Sequence, residues 1–206
     1  MSSGPLKKIL ILFAHPAYQK SRINSRLTGG IPDMDGVTVN DLYEAYPEFD
    51  IDVSREQALV DAHDIIIFHH PLFWYSTPAI LKEWQDLVLE HGWAYGSEGN
   101  ALQGKVFFNI ISAGGTQEAY TPEGYNGHTL RHLISPIEQT CRLCKMTFLP
   151  PFVVHGTHSI QLDQVEGFRE TLNNLLIDFQ HDRVDIEKAQ QLERLNDYAT
   201  LADKGA

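Results

Sequence analysis

The chain has 206 residues, 43% hydrophobic and 21% charged, a profile that excludes a disordered chain, a coiled coil and a collagen-like fibre. Its net charge of −11, from 16 Lys plus Arg against 27 Asp plus Glu, argues against a nucleic-acid partner. No apolar run approaches the ~20 residues that span a bilayer, no signal-peptide stretch opens the sequence, and two cysteines cannot build a disulfide framework. The expectation is one cytoplasmic domain over residues 1–206, with a core at about 7–180.

In chain order, residues 7–14 (KKILILFA) read as a buried strand, followed by a polar loop with Pro16. A short helix is expected from Ser21 or Arg22 to Gly29, stopped by Gly29 and Gly30. Residues 37–42 read as a weaker strand. A helix over 54–63 has Ser54 as its N-cap and Gln57 completing a capping box. Residues 64–70 (DIIIFHH) give the clearest buried strand. Thr77-Pro78 opens a helix with proline at its first position, and Ile80, Leu81, Trp84, Leu87 and Val88 recur on one face.

A Gly-rich connection over 91–103 leads to another buried strand at 105–112 (KVFFNIIS). Residues 128–144 read as a helix. Residues 147–155 read as a strand that Pro150-Pro151 marks as irregular or at an edge. Helices are expected over 163–179 and over 185–202 or 203. Strand and helix alternate five times, which implies a doubly wound five-stranded parallel sheet with helices on both faces. Ligands of such sheets bind at the carboxyl ends of the strands.

Three strands end in sequences suited to a ligand. After the first come His15, Ser21, Arg22, Ile23 and Asn24, where a loop enters a helix N-terminus and gathers donors for one phosphate. After the third come Leu72, Phe73, Trp74 and Tyr75, an aromatic wall. After the fourth come Ser112, Ala113, Gly114 and Gly115, whose glycines let backbone approach a ligand closely. A phosphate, a flat ring and a close-fitting backbone together describe a flavin mononucleotide.

Rival motifs are weaker. Cys141 and Cys144 fall near a helix C-terminus and read as two half-buried thiols rather than a redox pair. Structural zinc on these with His155 and His158 is the lesser alternative. His128 and His132 read as surface or interface residues. Residues 99–105 (GNALQGK) imitate a phosphate loop but lack its Ser/Thr and precede a strand. No metal site is assigned.

The ordered set of His15-Pro16, Ser21 and Asn24, residues 41–43 (DLY), 46–53 (YPEFDIDV), 70–84 (HPLFWYSTPAILKEW), 91–96 (HGWAYG), Gly114-Gly115 and 149–152 (LPPF) resembles the flavodoxin-like NAD(P)H:quinone reductases. The resemblance is closest to the bacterial branch that includes ancillary subunits of glutathione-gated potassium-efflux systems, and it covers residues 7–156. It implies FMN, or less readily FAD, held by His15 and residues 21–24, with 72–75 along the ring and 112–115 at its polar edge. It also implies a homodimer with the site at the interface, NADH or NADPH as reductant, and a quinone as acceptor in ping-pong order.

Tyr120 matches the family's proton-relay tyrosine, whereas the relay histidine position holds Asn126. A glutamine found in mammalian members is Phe73 here, and Ala113 offers only its backbone. Two alternatives accompany this reading. One is a regulatory subunit of a membrane potassium-efflux transporter, peripheral at the inner face of the membrane. The other is a flavodoxin-type electron carrier.

Overall fold

The computed structural model describes residues 5–198. Six strands, β1 (Ile9–Phe13), β2 (Val37–Asp41), β3 (Ile65–Pro71), β4 (Val106–Ser112), β5 (Thr147–Phe148) and β6 (Phe152–Val154), form one parallel sheet. The order is β2-β1-β3-β4-β5, with β6 also on β4. Five positions thus hold six strands. Prolines 150 and 151 lack N–H donors, so the expected strand at 147–155 splits in two around them.

The described residues include eight α-helices: α1 (Asn24–Leu27), α2 (Leu42–Ala45), α3 (Val53–Asp61), α4 (Ala79–Val88), α5 (Leu130–Leu133), α6 (Ser135–Leu143), α7 (Leu162–Gln180) and α8 (Ile186–Gln190). Every residue of β1, β3 and β4 is buried, as a sheet covered on both faces requires, which is why these strands read as apolar runs. The two-residue period of a strand divides the core. Leu10, Leu12, Ile66, Phe68 and Phe107 meet Leu81, Trp84 and Val88 of α4 and Ile137 of α6 on one face. Ile9, Ile11, Ile65, Ile67 and Phe108 meet Leu27 of α1 and Leu172, Leu176 and Phe179 of α7 on the other.

Several boundaries depart from expectation. The cap of α3 is Asp52, whose carboxylate accepts from Arg55 N at 3.0 Å, not Ser54. Pro78 is the residue before α4 rather than its first, and Leu87 on that helix is 38% exposed. The expected helix at 128–144 breaks where Pro136 cannot donate, giving α5 and α6. The expected helix at 185–203 ends at Gln190; residues 199–203 of it lie outside the described residues. The chain turns back there to bury Leu195, and the amide of Asn196 pairs both ways with the Val153 backbone, at 2.8 and 3.0 Å. The one-turn helix α2, capped by Asp41, is not signalled by the sequence pattern.

A buried carboxylate joins β2 to three helical segments. Glu56 of α3 is fully buried and accepts from Asn40 Nδ2 at 3.0 and 2.9 Å, Tyr46 OH at 2.6 Å and Trp84 Nε1 at 2.9 Å. Arg55 supplies the counter-charge at 2.5 Å. Hydrogen bonds from this many donors offset the cost of burying the charge. Glu56→Ala strands these donors and is expected to lower stability by about 3–5 kcal/mol, read from the urea midpoint and slope.

Candidate functional site

The carboxyl ends of β1, β3 and β4 open into a cleft of about 730 Å³. Its lining includes every residue singled out from the sequence except Ala113. Among the described residues that line it there is no Asp or Glu, although the chain carries a net charge of −11. Arg22 is the one Lys or Arg among the described residues that line it. A second hollow, of about 650 Å³ beside β2, is lined by Asp33, Asp41 and Glu44 and repels an anion.

Part of the lining is a cradle of donors. The expected helix at 21–29 is only the single turn α1, so side chains rather than a helix dipole supply it. Ser21 Oγ accepts from Asn24 N at 3.0 Å and Asn24 Nδ2 at 3.1 Å. The same Nδ2 donates to Ser112 Oγ at 3.0 Å, and Asn24 Oδ1 lies 3.1 Å from His69 Nε2. His15 Nδ1 accepts from Ala17 N at 3.1 Å, which leaves the proton of the neutral ring on Nε2 as a further donor. Burial lowers the His15 pKa.

The aromatic wall is a tight hairpin. Phe73 and Ser76 exchange backbone hydrogen bonds of 3.0 and 2.9 Å, and the two residues between them, Trp74 and Tyr75, have φ of 47° and 63°. Positive φ at both positions matches a type I′ turn, which ordinarily selects Asn and Gly. Two bulky aromatics are held there against that preference. Phe73, Trp74 and Tyr75 are 43%, 94% and 48% exposed, so none of the three belongs to the core.

In the loop after β4, a Cβ added to Gly114 would stand 2.7 Å from His158 Nε2, and one added to Gly115 would stand 3.1 Å from the Tyr120 ring. A side chain at position 114 would force His158 to move, and one at position 115 would crowd Tyr120. Ala113 is fully buried beneath them, its N–H given to Val154 O at 2.9 Å and its carbonyl taken by Thr157 N at 3.2 Å. Its N–H and one carbonyl lone pair are thus used inside the fold, and Ala113 is not among the residues that line the cleft. Thr157 and His158 join the lining instead. They follow β6, whose end lies beside that of β4; their sequence neighbourhood carries no signal of this.

Tyr120 lines the cleft, and burial raises its pKa, so it is a protonated phenol at neutral pH. The imidazole near it is that of His155, with ring centroids 5.5 Å apart. Burial, then the charge of Arg194, pushes the His155 pKa down to about 4. Cys141 and Cys144 are both fully buried rather than half-buried, and burial raises both thiol pKa values, that of Cys141 beyond the usual thiol range. Among the described residues no group of three or more His, Cys, Asp or Glu is placed to hold a metal.

Residues 7–176 match the family model described as the flavodoxin-like fold. The chain belongs to this family. It is 43% identical over 163 residues to the glutathione-regulated potassium-efflux system ancillary protein KefG of Pectobacterium carotovorum, covering 79% of this chain and 88% of the relative. The structure of general stress protein 14 from Treponema denticola in complex with FMN matches with a TM-score of 0.80 and 34% identity, covering 84% of this chain and 99% of that one. An NADPH-quinone reductase from P. pentosaceus matches with a TM-score of 0.72 and 29% identity, covering 86% and 98%. No described helix is long and apolar enough to cross a membrane.

Replacing Trp74 by Asn together with Tyr75 by Gly relieves both strained positions and is expected to raise stability by about 1–2 kcal/mol in urea unfolding. His69 and His155 have folded-state pKa values of about 3 and about 4, below their unfolded values. The unfolded chain therefore binds more protons between about pH 7 and pH 4, and stability falls as pH drops through that window. His69→Gln is expected to flatten the slope, measured by urea midpoints across the range.

Proposed function

We propose that this protein is a flavin-dependent NAD(P)H:quinone oxidoreductase that binds FMN in the cleft at the carboxyl edge of its sheet. The observation that carries the reading is a carboxylate-free cleft whose lining brings hydroxyl, amide and imidazole donors together with an aromatic hairpin, the His15 ring standing 6.1 Å from that of Phe73. Its volume lies in the range of small-molecule sites. The residues present fit the group: the donors suit one phosphate, and the exposed rings of Phe73, Trp74 and Tyr75 suit contact with a planar ring. FMN is preferred to FAD because the cleft carries one cation and one donor cradle.

When bound, the flavin would supply two-electron hydride transfer from NADH or NADPH to a quinone, in ping-pong order. The protein's part is placement. Ser21, Arg22 and His15 hold the phosphate, with Ile23 and Asn24 shaping the loop. Leu72, Phe73, Trp74 and Tyr75 flank the ring and leave a face on which flat substrates alternate. Tyr120, a neutral phenol, donates a hydrogen bond at the polar edge. Trp74, 94% exposed beside the cleft, suits a homodimer that covers the site.

A second reading has support of its own. The name of the KefG relative supports a role as ancillary subunit of a membrane potassium-efflux transporter, for which the exposed Trp74 indole offers a contact. One experiment separates the two. The purified protein is loaded with FMN, desalted, and followed by visible absorption as NAD(P)H and then a quinone are added. Retained flavin bands that bleach and recover are expected, with Tyr120→Phe slowing turnover. A protein that retains neither FMN nor FAD, yet sediments with transporter-bearing vesicles, would sink the enzymatic reading and favour the second.

A further inference from the structure

The donor cradle depends on a residue that does not line the cleft. His69 of β3 is fully buried, its ring edge-on to Phe13 with centroids 5.0 Å apart. Its Nε2 lies 3.1 Å from Asn24 Oδ1, and its Nδ1 is buried without a partner. Asn24 itself is 2% exposed.

An asparagine amide fits such a site in two orientations related by a half-turn, and its neighbours decide between them. With Oδ1 toward His69, the imidazole carries its proton on Nε2, and both serine hydroxyls accept from Asn24 Nδ2. Ser21 Oγ also accepts the Asn24 backbone N–H at 3.0 Å, so both of its lone pairs are filled. Its own proton then points away from Asn24. Ser112 Oγ, accepting at 3.0 Å, is likewise left with a proton to give.

The reversed amide has a different outcome. His69 would accept at Nε2 and carry its proton on Nδ1, leaving a buried N–H with no acceptor. Orphaned buried N–H groups are rarer than under-satisfied acceptors. Both serines would also spend their protons on Asn24 Oδ1, turning lone pairs toward an anion. A doubly protonated ring offers no escape, because burial holds the His69 pKa down at about 3.

We propose that His69 is a positioning residue: its Nε2–H holds the Asn24 amide in the orientation that makes Ser21 and Ser112 proton donors to the ligand. The inference takes the ligand's identity from the flavin reading, but the hydrogen-bond directions stand on the protein alone.

The test titrates FMN into flavin-free wild-type protein and variants, read by quenching of flavin fluorescence. His69→Leu is expected to weaken FMN binding about tenfold, the scale of one hydrogen bond. His69→Gln, whose Nε2 can donate to the same oxygen, is expected to bind within about threefold of wild type. In an Asn24→Ala background, His69→Leu is expected to add nothing. Wild-type affinity in His69→Leu, a Gln variant no better than Leu, or additive losses would overturn the proposal. Nitrogen-15 NMR of the histidine ring gives a reading without flavin: a proton on Nε2 of His69 is expected, and a proton on Nδ1 overturns the proposal whatever the titrations show. If wild-type protein binds no flavin, the flavin reading alone falls, and the tautomer decides the inference.

Discussion

One buried amide ties the carboxyl edge of this sheet together. Asn24 follows β1, and its side chain reaches Ser112 at the end of β4 and His69 near the end of β3. A polar side chain this deep has to be satisfied on every side. The strand register supplies the partners: His69 stands opposite Phe13, and Ser112 opposite Pro71. A slip of one residue in β3 would turn His69 to the other face and bring His70 in its place. The site is thus a property of sheet register before it is a property of loops.

The fold buries polarity in a second place for another purpose. Around Glu56, a carboxylate and its donors weld β2, α3, α4 and the turn at Tyr46 into one body on the face opposite α1 and α7. That network is closed, with Arg55 as its counter-charge. The Asn24 network is open on one side, and its free hydroxyl protons face the cleft. The same rule, that buried polar groups must be paired, yields a joint in one case and a binding surface in the other.

The sequence reveals the strands and the main site loops for physical reasons. Parallel strands covered on both faces must be apolar throughout, so 64–70 and 105–112 stand out as blocks. The polar and aromatic runs that follow them then mark the strand ends. What stays hidden depends on tertiary pairing. Ala113 reads as part of a ligand loop because Gly114 follows it, yet its backbone serves Val154 and Thr157. Thr157 and His158 enter the cleft only because β6 runs beside β4. His69 reads as one more strand residue; its role appears only when Asn24 is placed against it. The C-terminal segment reads as a helix by composition, and its partners on β6 halt it.

Those partners have a consequence for the edge of the sheet. β6 sits at the margin of the sheet, and an open strand margin invites another chain to add to it. Here the Asn196 amide occupies the Val153 N–H and carbonyl much as a neighbouring strand would, while Leu195 N occupies the Pro151 carbonyl at 2.9 Å. Prolines 150 and 151 leave the same margin poor in donors. The turn after α8 thus closes this margin of the sheet to edge-to-edge pairing with another chain.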